Sequence, residues 1–566
     1  MPWGKNMMTR TTVSSETLIL ATSLFVAVFC NIAFFTNAVE VYGVSLPSIL
    51  FMASLFVYIT SIFILVLSAT CHRRLTKPVL TLFLVLASIV AYFATRYGTI
   101  FDGNMIANVF ETDAGEAGDL LTPELALYVV LLGVLPSLAI WRTTIVQQDW
   151  KTETKARIKL VGVTAAALTV TFLPFSANYA SMMREHREID SKINPTFALY
   201  STFKLAMRSL PQKHAQHIAV GTDAEIPPTD VHRELVIMVV GETARADHWS
   251  MNGYPRETTP LLKQEGVTNF PDFWSCDTST AKSVPCMFSN LGRAKFDVKT
   301  AQNSDNALDV LSRAGVSVLW RDNNSSSKGV ADRVPYEDFK SSKKNPLCTD
   351  TECRDEGMLD GLQKYIDAQT GDILIVLHQM GNHGPAYYKR YPEAFERFTP
   401  VCRTNDLGSC THDEIINAYD NAILYTDYFL SRVISLLKSN DDKFETAMLY
   451  VSDHGESLGE YGLYLHATPY MLAPDAQRHV PATIWLGKNM KKHDVRVEAM
   501  EERSKRRWSH DNIFATLLGL FEINSSTYDA RMDLLEHLPE DGTVTQAATP
   551  RQAKPQPAPD AALARG

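Results

Sequence analysis

Five long apolar runs in the first third of the chain constrain its fold more than any other feature. They cover residues 18–38, 46–69, 79–97, 125–141 and 158–179. A helix needs about 20 apolar residues to cross a bilayer, and the runs reach that length comfortably except for the fourth, which is short. Any single run would also suit a helix buried in a soluble core, but five in succession predict a membrane domain of five helices.

Basic residues in the loops predict how these helices are oriented. They cluster before the first run, between the second and third, and between the fourth and fifth: Lys5, Arg10, Arg73, Arg74, Lys77, Arg142, Lys151, Lys155, Arg157 and Lys159. The positive-inside rule therefore places the N-terminus in the cytoplasm and everything beyond about residue 180 outside. The first run is too long for a signal peptide and lacks a cleavage site, so we expect it to stay attached.

The remainder of the 566-residue chain has an ordinary soluble composition, and this split indicates at least two domains. Short apolar runs alternate there with helical patterns; the runs are "ELVIMVVGE", "VSVLWRDNN", "DILIVLHQMGNHG", "TAMLYVSDHGE" and "VPATIWLG". This alternation predicts an α/β domain with a largely parallel sheet. The net charge of −9 argues against a general nucleic-acid binder.

These patterns predict four segments. A transmembrane domain covers residues 1–180, a connector with helices covers 181–232, an exported α/β domain covers 233–540, and a tail rich in Pro and Ala covers 541–566. The composition of the tail predicts disorder.

The cysteines agree with export of the α/β domain. Two of the eight, Cys30 and Cys71, fall in the membrane part, and the other six form close pairs in sequence: Cys276 and Cys286, Cys348 and Cys353, Cys402 and Cys410. An even number at short spacings in an exported domain predicts disulfides; six cysteines allow 15 connectivities, of which pairing of neighbours is the simplest. A zinc cluster is the alternative, but it fits poorly because no CxxC pair is present.

Acidic and histidine side chains follow two of the predicted strands. Glu242 ends one strand, and Asp453 with His454 ends another. Ligands bind beyond the carboxyl ends of strands in open α/β sheets, and zinc accepts carboxylate and imidazole ligands. Thr280, between Cys276 and Cys286, would complete such a site as a metal-activated nucleophile. Each residue also has an ordinary interpretation, as a helix cap, a turn or a polar disulfide loop, so the combination carries the prediction.

Three further residues have similar settings. His383 and Lys328 each follow a predicted strand, and His466 comes shortly after the Asp-His pair. The histidines suit orienting a phosphate, protonating a leaving group or holding a second metal, and the lysine suits neutralising a phosphate oxygen. Surface or capping histidines and a solvated loop lysine are the alternatives.

Four segments resemble the phosphoethanolamine transferases that modify lipid A, the family that includes polymyxin (colistin) resistance enzymes. They are "VVGETARADHWSMNGYPRETTP", "SCDTSTAKSVPCMFSNLGR", "GNHGPAYYKRYP" and "YVSDHGESLGEYGLYLHATPY". The resemblance runs from the first apolar run to about residue 535. It implies five membrane helices followed by an alkaline-phosphatase/sulfatase-like α/β domain.

The resemblance also implies roles for individual residues. Thr280 matches the family's nucleophile, which carries phosphoethanolamine covalently, while Glu242, Asp453 and His454 match the zinc ligands. His383, His466 and Lys328 match residues that contact the phosphoryl group or a second zinc. The family's disulfides are matched by the pairs 276–286, 348–353 and 402–410, and its lipid-substrate segment by Asn108, Glu111, Thr112 and Glu116. Asp277 departs from the family, in which Gly is common at this position.

The function implied is zinc-dependent transfer of phosphoethanolamine from phosphatidylethanolamine to a lipid A phosphate, with one tight zinc site and room for a second. The setting implied is the bacterial inner membrane with the catalytic domain in the periplasm, without nucleic acid, and nothing demands more than a monomer. A transferase for a core sugar or glucan, or a related membrane phosphatase, is the nearest alternative. A sulfatase lacks support because "CDTSTAK" departs from the sulfatase signature. A non-catalytic sensor and a transporter fit less well, since the site residues are intact and the apolar runs contain few ionisable residues.

Overall fold

The protein is described here from a computed structural model. It describes residues 11–112, 114–146, 149–176, 178–179, 182, 187–209, 217–349, 352–493 and 497–535. The predicted tail after residue 540 and part of the predicted connector lie outside the described residues.

The first half of the fold is a bundle of apolar helices. Its main members are α1 (Ser15–Phe29), α2 (Ile32–Tyr42), α3 (Leu46–Thr70), α4 (Thr76–Arg96), α7 (Pro123–Arg142) and α8 (Trp150–Phe175). Four of the helices in the described part of the chain are long and apolar enough to cross a membrane, and the bent pair α1–α2 makes a fifth if it is one span. The bundle agrees with the predicted membrane domain.

The first predicted run is a bent pair of helices and not one continuous helix. The axes of α1 and α2 differ by 55° at a break between Phe29 and Ile32. Asn31 and Asn194, both buried, satisfy the backbone at this break. The Asn31 amide donates to the carbonyl oxygens of Val26 and Asn194, and the Asn194 amide donates to the carbonyl oxygens of Cys30 and Ala87. A broken helix is tolerated in a membrane when neighbouring side chains bond the freed backbone groups.

Two short helices, α5 (Gly103–Glu111) and α6 (Ala114–Asp119), connect α4 to α7 on the side of the bundle that faces the α/β domain. A further helix, α9 (Thr196–Ser209), follows the bundle and packs against α5. This connection therefore brings residues of the membrane half to the edge of the α/β domain.

The second half is built on a seven-stranded sheet. In chain order the strands are β1 (Glu234–Gly241), β2 (Thr268–Phe270), β3 (Ser317–Asp322), β4 (Tyr336–Asp338), β5 (Ile373–His378), β6 (Glu445–Ser452) and β7 (Ala482–Leu486). Their order across the sheet is β2-β7-β6-β1-β5-β3-β4. The five strands from β6 to β4 are parallel, while β7 runs antiparallel to both β6 and β2. The predicted α/β class and largely parallel sheet are confirmed.

Helices cover both faces of the sheet because its central strands are apolar on both sides. Alternate residues of β1 join separate cores: Val236, Met238 and Val240 pack on one face, and Leu235, Ile237 and Val239 on the other. The covering helices are α10 (Pro260–Glu265), α11 (Thr280–Met287), α12 (Val298–Gln302), α13 (Ala307–Ala314), α14 (Leu362–Asp367), α15 (His412–Lys438), α16 (Asp475–Arg478), α17 (Lys488–His493), α18 (Val497–Arg503) and α19 (Ile513–Gly519). Strands buried on both faces are typical of parallel sheets.

Three disulfides tie loops of the α/β half. They join Cys276 to Cys286, Cys348 to Cys353 and Cys402 to Cys410, which confirms the pairing of neighbours. Cys30 and Cys71 are free thiols buried in the membrane half.

Candidate active site

Two neighbouring parallel strands bring three polar side chains together at the carboxyl edge of the sheet. Glu242 follows β1, Asp453 and His454 follow β6, and Gly241 pairs with Ser452 in the last register position. His454 Nε2 lies 3.5 Å from Glu242 Oε1 and 3.3 Å from Asp453 Oδ2. All three side chains are buried, and their ligand atoms lie within 4.8 Å of one another.

Thr280 lies next to this triad of Glu242, Asp453 and His454 but belongs to a different loop. It is the first residue of α11, inside the loop that Cys276 and Cys286 close. Its Oγ1 lies 3.2 Å from Glu242 Oε2 and 3.2 Å from His454 Nε2. The structure therefore brings together the four residues that the sequence proposed for one site.

The loop that carries Thr280 is fixed by more than its disulfide. Ser283 Oγ donates to the Asp453 carbonyl oxygen at 2.5 Å, and the Cys276 N–H donates to His510 Nδ1 at 3.1 Å. Thr278 Oγ1 donates to the Thr468 carbonyl oxygen at 2.6 Å. These bonds tie α11 directly to the loop after β6, so the position of Thr280 is coupled to that of the triad.

Two residues that the sequence analysis did not single out also belong to the site. The Asn324 amide donates to Glu242 Oε2 at 2.7 Å, and Glu456 Oε2 lies 3.5 Å from His466 Nδ1. Asn324 comes just after strand β3, and a position just after a strand is also the signal that identified Glu242. Glu456 is only three residues beyond Asp453, and its contact with His466 depends on how the loop folds back.

The three residues proposed for phosphate contact surround Thr280. The ring of His466 lies between those of His454 and His383, with centroids 4.5 Å and 5.2 Å away. Lys328 lines the same cavity as Thr280, His383 and His466. These three residues therefore border the group formed by Thr280 and the triad, as expected for a site that binds an anion next to a metal.

The electrostatics favour a bound cation. Burial lowers the pKa of His454 well below its usual value, with a contribution from His466, and burial raises the pKa of Asp453. Asp453 Oδ2 accepts no hydrogen bond from the described residues, although Oδ1 accepts two from backbone N–H groups. A neutral imidazole and two carboxylates are the donor set that zinc accepts, so these residues fit that metal.

A cavity of about 140 Å³ connects Thr280 to the membrane half. Its walls include His383 and Lys328 on one side and residues of α4, α5 and the intervening loop on the other. Asn108 and Thr112, which the sequence proposed for lipid contact, line it, and Thr112 Oγ1 donates to the Asn108 carbonyl oxygen at 2.7 Å. The side chains of Glu111 and Glu116 lie outside the described residues.

Asp277 has a charged partner within the loop that carries Thr280. Lys282 Nζ lies 2.7 Å from Asp277 Oδ2, and the Asp277 side chain is only 1% exposed. We expect Lys282→Met to lower both thermal stability and activity, because the carboxylate loses its cation while it stays buried. The expected cost is about 1–3 kcal/mol.

The matched control for this pair is the double variant Asp277→Asn, Lys282→Met. It removes both charges, so its melting temperature should recover most of the loss. A double-mutant cycle measured by thermal unfolding gives the coupling. Additive effects of the two substitutions would show that the pair does not stabilise the loop.

Both halves of the chain match known families. Residues 59–210 match the model described as phosphoethanolamine transferase EptA/EptB, and residues 234–523 match the model described as sulfatase.

Similar proteins cover nearly the whole chain. The phosphatidylethanolamine transferase Mcr-1 of Escherichia coli is 43% identical over 91% of this chain and 96% of its own, and phosphoethanolamine transferase EptA of E. coli K12 is 36% identical over 94% and 98%. Among solved structures, the integral membrane lipooligosaccharide phosphoethanolamine transferase A from Neisseria meningitidis aligns with a TM-score of 0.88 and 37% identity, covering 93% of this chain and 99% of that one. The chain therefore belongs to the EptA/Mcr family of phosphoethanolamine transferases, within the alkaline phosphatase superfamily.

Proposed function

We propose that this protein transfers phosphoethanolamine from phosphatidylethanolamine to a phosphate group of lipid A, through a covalent intermediate on Thr280. The observation that carries the proposal is the position of Thr280 Oγ1, 3.2 Å from both Glu242 and His454, in the wall of a cavity shared with the membrane half. The names of two relatives support a lipid donor and a lipid acceptor: Mcr-1 is a phosphatidylethanolamine transferase, and the Neisseria enzyme is a lipooligosaccharide phosphoethanolamine transferase.

Glu242, Asp453, His454 and Thr280 would hold a zinc ion in this proposal. When bound, zinc supplies positive charge that lowers the pKa of a hydroxyl group and stabilises phosphoryl oxygens. His383, His466 and Glu456 offer further donors, which would suit a second ion. The proposal requires one tightly bound zinc ion and allows a second.

In the first step, the Thr280 hydroxyl gives up its proton to a histidine of the cavity wall, and Thr280 Oγ forms a bond to the phosphorus of the donor. The phosphorus–oxygen bond to diacylglycerol breaks, and the leaving oxygen takes up a proton, for which His383 and His466 are the candidates in the cavity wall. In the second step, an oxygen of the acceptor phosphate attacks the same phosphorus, and the bond to Thr280 Oγ breaks. Phosphoethanolamine then resides on the acceptor, and Thr280 is regenerated.

Two features would stabilise the negative oxygens during both steps. Thr280 occupies the N-terminus of α11, where backbone N–H groups and the helix dipole favour anions. Lys328 lines the cavity beside it and would add a full positive charge. The backbone N–H groups are fixed by the helix before substrate binds, so they reorganise little during reaction.

The membrane helices serve the same reaction because both substrates are lipids. We infer that the protein resides in the bacterial inner membrane with its N-terminus in the cytoplasm and its catalytic half in the periplasm. The product carries an added amine that offsets phosphate charge at the cell surface. Cationic peptides such as polymyxins should then bind more weakly, since their attraction to the surface is largely electrostatic.

Mass spectrometry of lipid A tests the proposal. Cells expressing the wild-type chain should contain lipid A with an added phosphoethanolamine group that is absent from vector controls. If folded protein is present and lipid A is unchanged, the same extracts are analysed for modified core sugars and glucans. A modified glucan or core sugar would establish the alternative acceptor, and release of phosphoethanolamine without transfer would indicate a phosphatase.

A further inference from the structure

A buried ion-pair cluster joins the membrane half to the loop that carries His383. Asp119, the last residue of α6, pairs with Lys389 and Arg390 of the catalytic half, and its carboxylate lies 3.2 Å from Arg390 Nη2. Asp119 is 8% exposed and Arg390 is 5% exposed. The Asn405 side chain donates to the Asp119 carbonyl oxygen, so the end of α6 is held at both its side chain and its backbone.

Arg390 uses each nitrogen of its guanidinium group at this junction. Nη2 donates to Asp119, Nη1 lies 2.7 Å from both carboxylate oxygens of Glu352, and Nε donates to the His383 carbonyl oxygen at 2.6 Å. Glu352 belongs to the loop that Cys348 and Cys353 close. The guanidinium group is planar and its donors have fixed directions, which suits this arrangement. Arg390 therefore ties helix α6 of the membrane half to the backbone of His383 in the active-site cavity.

Arg390 contacts the backbone of His383, whose ring lies in the wall of the active-site cavity. Its Nδ1 is buried and accepts no hydrogen bond from the described residues, and its ring contacts that of His466. Nearby Gly381, with φ of 53°, lets the same loop pack against Glu242: a Cβ at position 381 would lie 2.8 Å from the Glu242 carbonyl oxygen. The loop is therefore placed by Glu242 at one end and by Arg390 at the other.

We propose that Asp119 and Arg390 are positioning residues that couple docking of the two halves to catalysis. Contact between α6 and the catalytic half holds Arg390 across the His383 carbonyl group, and this sets the position of the imidazole in the cavity wall. The proposal rests on the proposed function, because it assigns His383 a role in that reaction. Neither Asp119 nor Arg390 lines the cavity around Thr280, so both act through His383.

Activity of the purified full-length protein in detergent tests this coupling. With phosphatidylethanolamine as donor and lipid A as acceptor, Asp119→Asn and Arg390→Lys should each lower kcat about tenfold, because a displaced imidazole no longer meets the reacting phosphoryl group in the right orientation. KM should change less than twofold. Arg390→Lys keeps the charge and loses the fork, so its loss should match that of Asp119→Asn.

Glu337→Gln is the matched control. Arg321 is also buried and donates to Glu337 Oε2 at 2.8 Å and to two backbone carbonyl oxygens, but the pair lies at the edge strand β4. This variant should lower the melting temperature and keep the wild-type kcat. A decrease of kcat that follows the melting temperature equally in all three variants would overturn the proposal, as would unchanged kcat in Asp119→Asn.

Hydrogen exchange gives a second measurement that does not depend on transfer. Asp119→Asn should raise amide exchange several-fold in residues 381–391 and leave strand β5 unchanged. Unchanged exchange in 381–391 would overturn the coupling even if the wild type proved inactive towards lipid A. Absence of transfer by the wild type, with faster exchange in the variant, would instead overturn the proposed function and retain the coupling.

Discussion

Thr280→Ala should reduce phosphoethanolamine transfer by roughly 10³-fold or more, because it removes the oxygen that we propose as the nucleophile. Neighbouring hydroxyl groups in the same loop cannot substitute for it without breaking other bonds. Thr278 Oγ1 donates to Thr468, and Ser283 Oγ donates to Asp453. Only the Thr280 hydroxyl, among those described in this loop, lies 3.2 Å from both Glu242 and His454.

Two variants separate the chemistry from the structure of the loop. Thr280→Ser keeps the hydroxyl and should retain measurable transfer, while Thr278→Ala removes a loop hydrogen bond and should cost only about 0.5–1.5 kcal/mol of stability. Intact-protein mass spectrometry after incubation with phosphatidylethanolamine alone should detect a phosphoethanolamine adduct on the wild type. The adduct should be missing from Thr280→Ala. Transfer that persists in Thr280→Ala would remove this residue from its proposed role.

The strands and helices that the sequence predicts are those with long apolar patterns. β1, β3, β5, β6 and β7 each contain a short apolar run, and their burial on both faces gives a strong signal. β2 and β4 have three residues each and lie at the sheet edges, so their local pattern is too short to identify. The bend between α1 and α2 was also missed, because it depends on a hydrogen-bond network between Asn31 and a residue 163 positions away.

The site was predictable where it follows strands. Glu242, Asp453 and His454 come directly after β1 and β6, and adjacent parallel strands deliver their ends to one place. The prediction that Asn108 and Thr112 contact the lipid substrate came from a family resemblance. No periodicity in the residues themselves indicates such a role. Arg390 and Asp119 were not foreseen, since their pairing joins loops 271 residues apart.

Asp453→Asn should remove the metal while keeping the local fold. Asp453 Oδ1 accepts hydrogen bonds from the N–H groups of Thr243 and His454, and an asparagine oxygen can accept the same two bonds. The amide nitrogen then replaces Oδ2, the oxygen that faces His454 Nε2 at 3.3 Å. A donor N–H in place of a carboxylate oxygen cannot ligate a cation, so the zinc content should fall well below one per chain.

Phosphoethanolamine transfer by Asp453→Asn should fall by about 10³-fold together with the zinc content, because bound zinc supplies several kcal/mol of charge stabilisation. The control is Asp420→Asn, which changes another fully buried carboxylate that pairs with a histidine, His248, outside the triad. It should lower stability and retain zinc, as measured by elemental analysis of purified protein. Wild-type protein treated with a chelator should lose transfer and regain it when zinc is added, whereas Asp453→Asn should not. Full zinc content in Asp453→Asn would show that the metal is held elsewhere, and normal transfer without zinc would show that Glu242 and His454 activate Thr280 by proton transfer alone.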